Sequence, residues 1–204
     1  MNQQRVIVGI SGASGAIYAQ RTVRLLLSLR IETHLVVTPL GQRLLHDELG
    51  HEGLDLEALT GQPLTGRDIP GLTLHNYRDV GASIASGSFR HDGMIIVPCS
   101  SNTLACVAQG MQQNLLHRAA AVTLKERRRL VLVHRETPLS LTEIRNMERA
   151  TEAGAVVMPA SPGFYLMPDS IDQLVDFIVA RALDLLGIDH GLNVRWGEAN
   201  TDPV

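Results

Sequence analysis

Five stretches of this sequence carry polar groups that a buried scaffold does not need. The first is Gly9-Ile10-Ser11-Gly12-Ala13-Ser14-Gly15, directly after the strand-like run Arg5-Val6-Ile7-Val8. A strand, a glycine turn and a helix in that order aim backbone N–H groups at an anion; a plain tight turn is the competing reading. The glycines fall at 9, 12 and 15, so the dinucleotide pattern G-x-G-x-x-G is absent. The second strand-like run, Glu32-Thr33-His34-Leu35-Val36-Val37, has its only acid at its start and ends at the hydroxyl of Thr38, where a ribose diol would need a carboxylate. No Gly-Lys-Ser/Thr follows the turn, which removes the P-loop reading. The turn therefore suits a phosphate but neither NAD nor ATP.

The next three stretches also follow strand-like runs. Pro98-Cys99-Ser100-Ser101-Asn102-Thr103 offers hydroxyls, an amide and a helix start, suited to a phosphate or a ribityl chain. One such residue suffices for a helix cap, and four exceed that need. In His134-Arg135-Glu136-Thr137-Pro138, Arg135 can grip an anion with its planar fork, and Glu136 can hold a proton or face a cation. A mutual ion pair is the alternative, against which strand alternation points the two side chains apart. Pro159-Ala160-Ser161-Pro162-Gly163-Phe164-Tyr165 presents a tyrosine hydroxyl on a rigid turn. Arg181, set among Val179, Ala180, Ala182 and Leu183, is predicted to seek a buried anion. Lys125 and Arg118 share nearly one helix face and read equally as solvated charge or as anion ligands. Glu48 reads by itself as surface, the run 127–129 as a solvated helix end, and Trp196 as a packing anchor. Cys99 and Cys106 form neither a C-x-x-C site nor a disulfide framework, and no His/Cys/Asp cluster has metal-ligand spacing. A serine-hydrolase elbow, G-x-S-x-G, is absent.

Positioning these stretches requires a sheet. Short runs rich in Val and Ile recur at 5–10, 32–38, 93–98, 129–134 and 155–159, without clean alternation, as parallel strands buried on both faces do. Helical patterns cover 16–30, 103–126 with a break near Gly110, 141–153 and 171–186. The alternation predicts a single-domain, doubly wound α/β fold, Rossmann-like or flavodoxin-like, with a parallel sheet and helices on both faces. Ligands of such folds bind outside the carboxyl ends of the strands, where all the polar stretches fall. The domain is expected over 1–188, and the polar tail 189–204 is expected to contact a neighbouring subunit. Glycine and proline mark 50–78 as a surface excursion with a short helix near 54–60, and 80–89 as a turn and a loop approaching the ligand. The 204 residues favour one domain, and the net charge of −3 argues against a nucleic-acid partner. No apolar run approaches the ~20 residues of a membrane span and no signal peptide opens the chain, so the cytoplasm is the expected location.

The sequence resembles the UbiX-type flavin prenyltransferases. The resemblance rests on the run from Gly9 to Tyr18, on Ser86-Gly87-Ser88-Phe89, Pro98-Cys99-Ser100 and Leu124-Lys125-Glu126-Arg127-Arg128, and on Arg135-Glu136-Thr137-Pro138-Leu139, Pro162-Gly163-Phe164-Tyr165 and Arg195-Trp196. It implies transfer of the dimethylallyl group of dimethylallyl monophosphate to N5 and then C6 of reduced FMN, without a metal. The prenylated FMN would pass to a UbiD-type decarboxylase, serving ubiquinone synthesis or aromatic-acid degradation. Carried over, FMN would meet Gly12, Ala13, Ser14, Thr38, Ser100, Ser101, Asn102, Thr103 and Arg135. The prenyl phosphate would meet Tyr165 and Arg181, with Lys125, Arg118 and Glu136 nearby. Ser14, Glu48, Glu136 and Lys125 form the implied catalytic set, the first three handling protons or steering the cation. Trp196 would cover the site from a neighbouring chain of a homododecamer whose sites lie at subunit junctions. Thr38 stands where serine is expected, Ser101-Asn102 occupies variable positions, and 50–78 is longer than in many relatives. Two other readings are an FMN-dependent cysteine-type decarboxylase, whose histidine base is missing from the first turn, and a non-catalytic flavin carrier.

Overall fold

The computed structural model describes residues 4–192. Six strands form one wholly parallel sheet: β1 (Arg5–Ile10), β2 (Glu32–Val37), β3 (Leu72–His75), β4 (Gly93–Cys99), β5 (Leu130–His134) and β6 (Val156–Pro159). Their spatial order is β3-β2-β1-β4-β5-β6. The helices are α1 (Ala16–Ser28), α2 (Pro39–Leu49), α3 (Leu56–Thr60), α4 (Ser101–Ala108), α5 (Leu115–Lys125), α6 (Leu141–Glu152) and α7 (Ile171–Leu186).

Alternation within each strand builds two cores. Val6, Val8, Ile10, Leu35, Val37, Ile95, Val97, Val131 and Val133 face α1 and α7. Ile7, Val36, Met94, Ile96, Leu130 and Leu132 face α4, α5 and α6. Both faces are apolar, so the strands read as continuous hydrophobic runs. Gly9 lies on the α5 side, where a Cβ would come within 3.0 Å of Leu116 Cδ1, so its bareness lets α5 sit close.

One prediction needs correction. The excursion at 50–78 contains a sixth strand, β3, paired to β2 through Thr33↔Leu72 and Val36↔His75. It was hidden because it is an edge strand of four residues, Leu-Thr-Leu-His, with Leu74 and Thr73 exposed and no Val or Ile. β3 extends the sheet beyond β2, and the strand order reverses between β1 and β4. The carboxyl ends of those two strands therefore open a crevice, where doubly wound folds bind ligands.

Candidate active site

The crevice is built by the ends of β1 and β4. The Ser11 hydroxyl donates to the Pro98 carbonyl at 2.9 Å and accepts the Ser100 N–H at 2.9 Å, stitching the strand ends together. A Cβ on Gly12 would lie 2.4 Å from Leu40 Cβ, so only glycine lets the turn pass α2 here. Gly15 takes φ 122, a conformation that side chains avoid. Ala13 is buried, whereas Ser14 is exposed. On the far side of the turn, the Thr38 hydroxyl accepts the Gly41 N–H at 3.0 Å, capping α2, and donates to the Ile10 carbonyl at 3.2 Å.

Glu48 changes the reading of the glycine turn. From the last turn of α2 its carboxylate accepts the N–H groups of Gly15 at 2.9 Å and Ala16 at 2.8 Å. The anion at the start of α1 is thus the protein's own side chain, where the helix dipole favours it. Glu48 is no plain surface residue, and those two N–H groups are not aimed at a ligand phosphate.

The loop after β4 offers fewer free groups than its composition suggested. Ser100 caps α4 and bonds the Thr103 hydroxyl at 3.2 Å. Thr103 is buried, whereas Asn102 is exposed. The Ser101 hydroxyl faces two carboxylates, Glu136 Oε2 at 3.2 Å and, closer still, Glu143 Oε1. After β5, Arg135 Nε donates to the Ser14 carbonyl at 3.2 Å, spanning β4 to reach the first turn. Glu136 Oε1 accepts the Thr137 N–H at 3.1 Å. Arg135 and Glu136 thus turn to separate partners. After β6, Tyr165 packs edge-on against Phe177 with centroids 5.7 Å apart. Gly163 makes room for that ring, since a Cβ there would lie 2.8 Å from it.

Two electrostatic features bear on chemistry. Bonds from Ser101 and Ser140 hold the Glu143 carboxyl below the usual carboxylate range. Burial pushes the Cys99 thiol well above its ordinary value, so it stays protonated and structural. Residue types alone did not single out Glu143, although the pattern Ser140-x-x-Glu143 before an amphipathic run signals a capping box.

Lys125 and Arg181 stand apart from this crest within one chain, and Arg118 is tied to a side chain outside it. Lys125 ends α5, five residues before β5 begins, which places it at the opposite edge of the sheet, paired to Glu126 at 2.6 Å. Arg118, on the same helix, donates to Gln112. Arg181 is exposed and bonds Asp184 at 3.4 Å, which corrects the expectation of a buried anion. Its apolar neighbours Val179, Ala180, Ala182 and Leu183 are the buried stripe of α7, and position 181 falls outside it. The loop 80–89 also misses the crest of its own chain. Arg128 holds it at the opposite edge, through the Gly87 carbonyl at 2.8 Å and the Phe89 carbonyl at 2.7 Å. Trp196 and the tail from 193 onward lie outside the described residues.

Residues 1–183 match the Flavoprotein family. Flavin prenyltransferase UbiX of Halalkalibacterium halodurans is 45% identical over 191 residues, 94% of this chain and 92% of the relative. The chain belongs to the flavin prenyltransferase family. A crystal structure of a UbiX from this family, in complex with FMN and dimethylallyl pyrophosphate, superposes with a TM-score of 0.86 at 42% identity, covering 96% of this chain and 98% of that one. A dodecameric FMN-dependent UbiX-like decarboxylase from Escherichia coli O157:H7 superposes with a TM-score of 0.84 at 39% identity, covering 95% and 99%. At the crest between β1 and β4, hydroxyls, an amide, a guanidinium and a carboxylate converge at strand ends.

Proposed function

We propose that this chain joins the dimethylallyl group of dimethylallyl monophosphate to reduced FMN at the crest between β1 and β4. The observation that carries the reading is the tying of three strand ends into one rim, Ser14 to Arg135 and Ser101 to Glu136. Reduced FMN, when bound, supplies N5 and then C6 as the atoms that take the prenyl carbon. Gly12, Ala13 and Ser14 form the close-fitting floor. Thr38, Ser100, Ser101 and Asn102 offer hydroxyls and an amide to the ribityl phosphate, Thr103 supports them from beneath, and Arg135 faces the anion. Breaking the allylic C–O bond leaves a cation and a phosphate. The carboxylates of Glu136 and Glu48 face the cation, while Tyr165 and nearby side-chain cations hold the phosphate.

Lys125 and Arg181 lie away from the crest of their own chain, so they would serve as those cations from other copies, and Arg118 is grouped with them. This supports a homo-oligomer with sites at subunit junctions, a dodecamer by analogy with the E. coli relative. The exposed apolar side chains beside the crest, Leu141, Phe164, Met167 and Ile171, suit a surface that another copy covers. Among the described residues no helix is long and apolar enough to cross a membrane, and no group of three or more His, Cys, Asp and Glu is placed to hold a metal. The proposal gives the phosphate charge to side-chain cations, a UbiD-type decarboxylase as recipient of the product, and the cytoplasm as location.

The test is anaerobic incubation of the purified protein with reduced FMN and dimethylallyl monophosphate or pyrophosphate, followed by mass spectrometry of the released flavin. A flavin heavier by one five-carbon prenyl unit is the expected result, and the faster donor names the substrate. Bound but unchanged FMN with both donors overturns the reading.

A further inference from the structure

Beside the crest, one serine hydroxyl lies within reach of two carboxylates. Ser101 opens α4, and its Oγ is 3.2 Å from Glu136 Oε2 and closer still to Glu143 Oε1. A hydroxyl has one proton to donate and lone pairs to accept with. Glu143 has the stronger hold on that proton. It lies nearer, and it is fixed at the third position of α6 by a capping box, with Oε2 accepting the Ser140 N–H at 2.7 Å. The start of a helix also favours its negative charge. With its proton committed to Glu143, Ser101 can accept from Glu136 once Glu136 carries a proton. The other Glu136 oxygen, Oε1, already accepts the Thr137 N–H. A proton arriving on Glu136 Oε2, the oxygen free of the Thr137 N–H, is directed at Ser101.

We propose that Ser101 and Glu143 form a relay that carries a proton away from Glu136. Glu136 Oε2 passes its proton to Ser101 Oγ while Ser101 passes its own to Glu143 Oε1. Glu136 returns to a carboxylate, Glu143 holds the proton only in passing and gives it up to solvent, and no electron changes hands. The relay rests on the reading of Glu136 as the proton-handling group of the prenyl transfer. Bond formation at an aromatic flavin carbon releases one proton, which must leave before the next turnover a crest that the proposed subunit junction closes to water. Glu143 touches no reacting atom in this scheme, so it is a positioning residue. The titratable groups around the relay are Glu136 itself, Arg135, which turns away to Ser14, and His134 at the end of β5. The Nδ1–H of His134 donates to the Cys99 carbonyl at 2.9 Å. α4 contributes no charged side chain.

Glu143→Gln is the informative variant, because glutamine at this helix position preserves the capping box while removing the proton-accepting carboxylate. The expected result is a fall in kcat of about tenfold or more, with KM for dimethylallyl monophosphate and FMN binding unchanged and a larger solvent deuterium isotope effect. Raising the pH should restore part of the rate in the variant, as hydroxide replaces the missing acceptor. Ser101→Ala should lose kcat as Glu143→Gln does and, because its hydroxyl also borders the flavin, some FMN affinity as well, while Ser101→Thr, which keeps a hydroxyl, should recover most of both. Glu136→Gln separates the two readings. Full turnover by Glu136→Gln removes Glu136 from the reaction and the relay with it. Slow turnover by Glu136→Gln, with wild-type kcat and pH profile in Glu143→Gln, overturns the relay alone.

Discussion

Two polar clusters interrupt an otherwise apolar sheet, and they are built on opposite plans. At the β2–β3 side, Arg5 donates to Glu32 at 2.8 Å, Glu32 accepts His34 Nε2 at 2.9 Å, and His34 Nδ1 meets His75 Nε2 at 2.8 Å. The carboxylate fixes the His34 tautomer with its proton on Nε2, so His75 is the donor to Nδ1. Phe89 closes the group, its ring 4.8 Å from both the Arg5 guanidinium and the His34 ring, with His91 stacked beyond it. That chain of donors and acceptors closes on its own side chains, with Arg5 Nε and His91 Nε2 left buried without a hydrogen-bond partner. At the crest, the bonds that fix Ser14, Ser101, Arg135 and Glu136 run between loops, while Asn102, Tyr165 and Glu136 remain exposed. A closed cluster spends its polarity on the fold, whereas an open one keeps it for a ligand.

The largest expected effect tests the open cluster. Glu136→Gln should lower prenyl transfer by about a hundredfold or more, the range for loss of one acid–base group, while FMN stays bound. Turnover and flavin retention measured on one preparation check both halves. The closed cluster should answer to pH instead of substrate. Burial holds His34 and His75 below the ordinary histidine range and His91 at about 4. The unfolded chain then binds more protons than the folded one between about pH 6.5 and 4, so stability falls as the pH drops through that window. For His91 alone the full loss is on the order of 3 kcal/mol. Glu32, held below its usual range by Arg5 and His34, adds its own loss at lower pH. Urea unfolding at pH 7 and pH 5 should show the drop, and His91→Phe should flatten it.

The difference between the clusters also decides what the sequence could reveal. The central strands and the polar strand ends were legible because buried parallel strands are written as unbroken Val/Ile runs, and hydroxyls rarely follow such runs without a cap or a ligand to serve. β3 was not, because an exposed edge strand carries no such pattern. Nor was the place of Glu48, since its partners are backbone N–H groups 32 and 33 residues away, and a backbone donor leaves no trace in residue type. Arg181 misled for the opposite reason: apolar neighbours in sequence are the other face of the helix, not the surroundings of the side chain. Glu143 was visible as a helix cap, but its contact with Ser101 joins α6 to α4 and exists only once the sheet has brought β4 beside β5.

Smaller effects sharpen the boundary of the open cluster. Gly12→Ala places a methyl against Leu40 and must push α2 outward, at a cost of about 1–3 kcal/mol typical of overpacking. Since α2 carries both Thr38 at its cap and Glu48 at its end, FMN affinity should fall along with the melting temperature. A loss of stability with unchanged flavin binding would mean that α2 does not border the flavin.

Thr38 gives the finest test, because its hydroxyl does two jobs. It accepts the Gly41 N–H as the cap of α2 and donates to the Ile10 carbonyl at the end of β1, which joins the first two strand ends. Thr38→Ser keeps both atoms and removes only a methyl group, so stability should change by less than about 0.5 kcal/mol, serine being at least as good a cap. Thr38→Ala leaves the Gly41 N–H without its acceptor and should cost about 1 kcal/mol. If the residue serves the fold alone, the two variants separate in urea midpoint but not in FMN affinity. If its hydroxyl also borders the flavin, Thr38→Ala loses affinity beyond its loss of stability while Thr38→Ser retains it. The pair thus places Thr38 in the closed plan or the open one by a difference that neither variant shows alone.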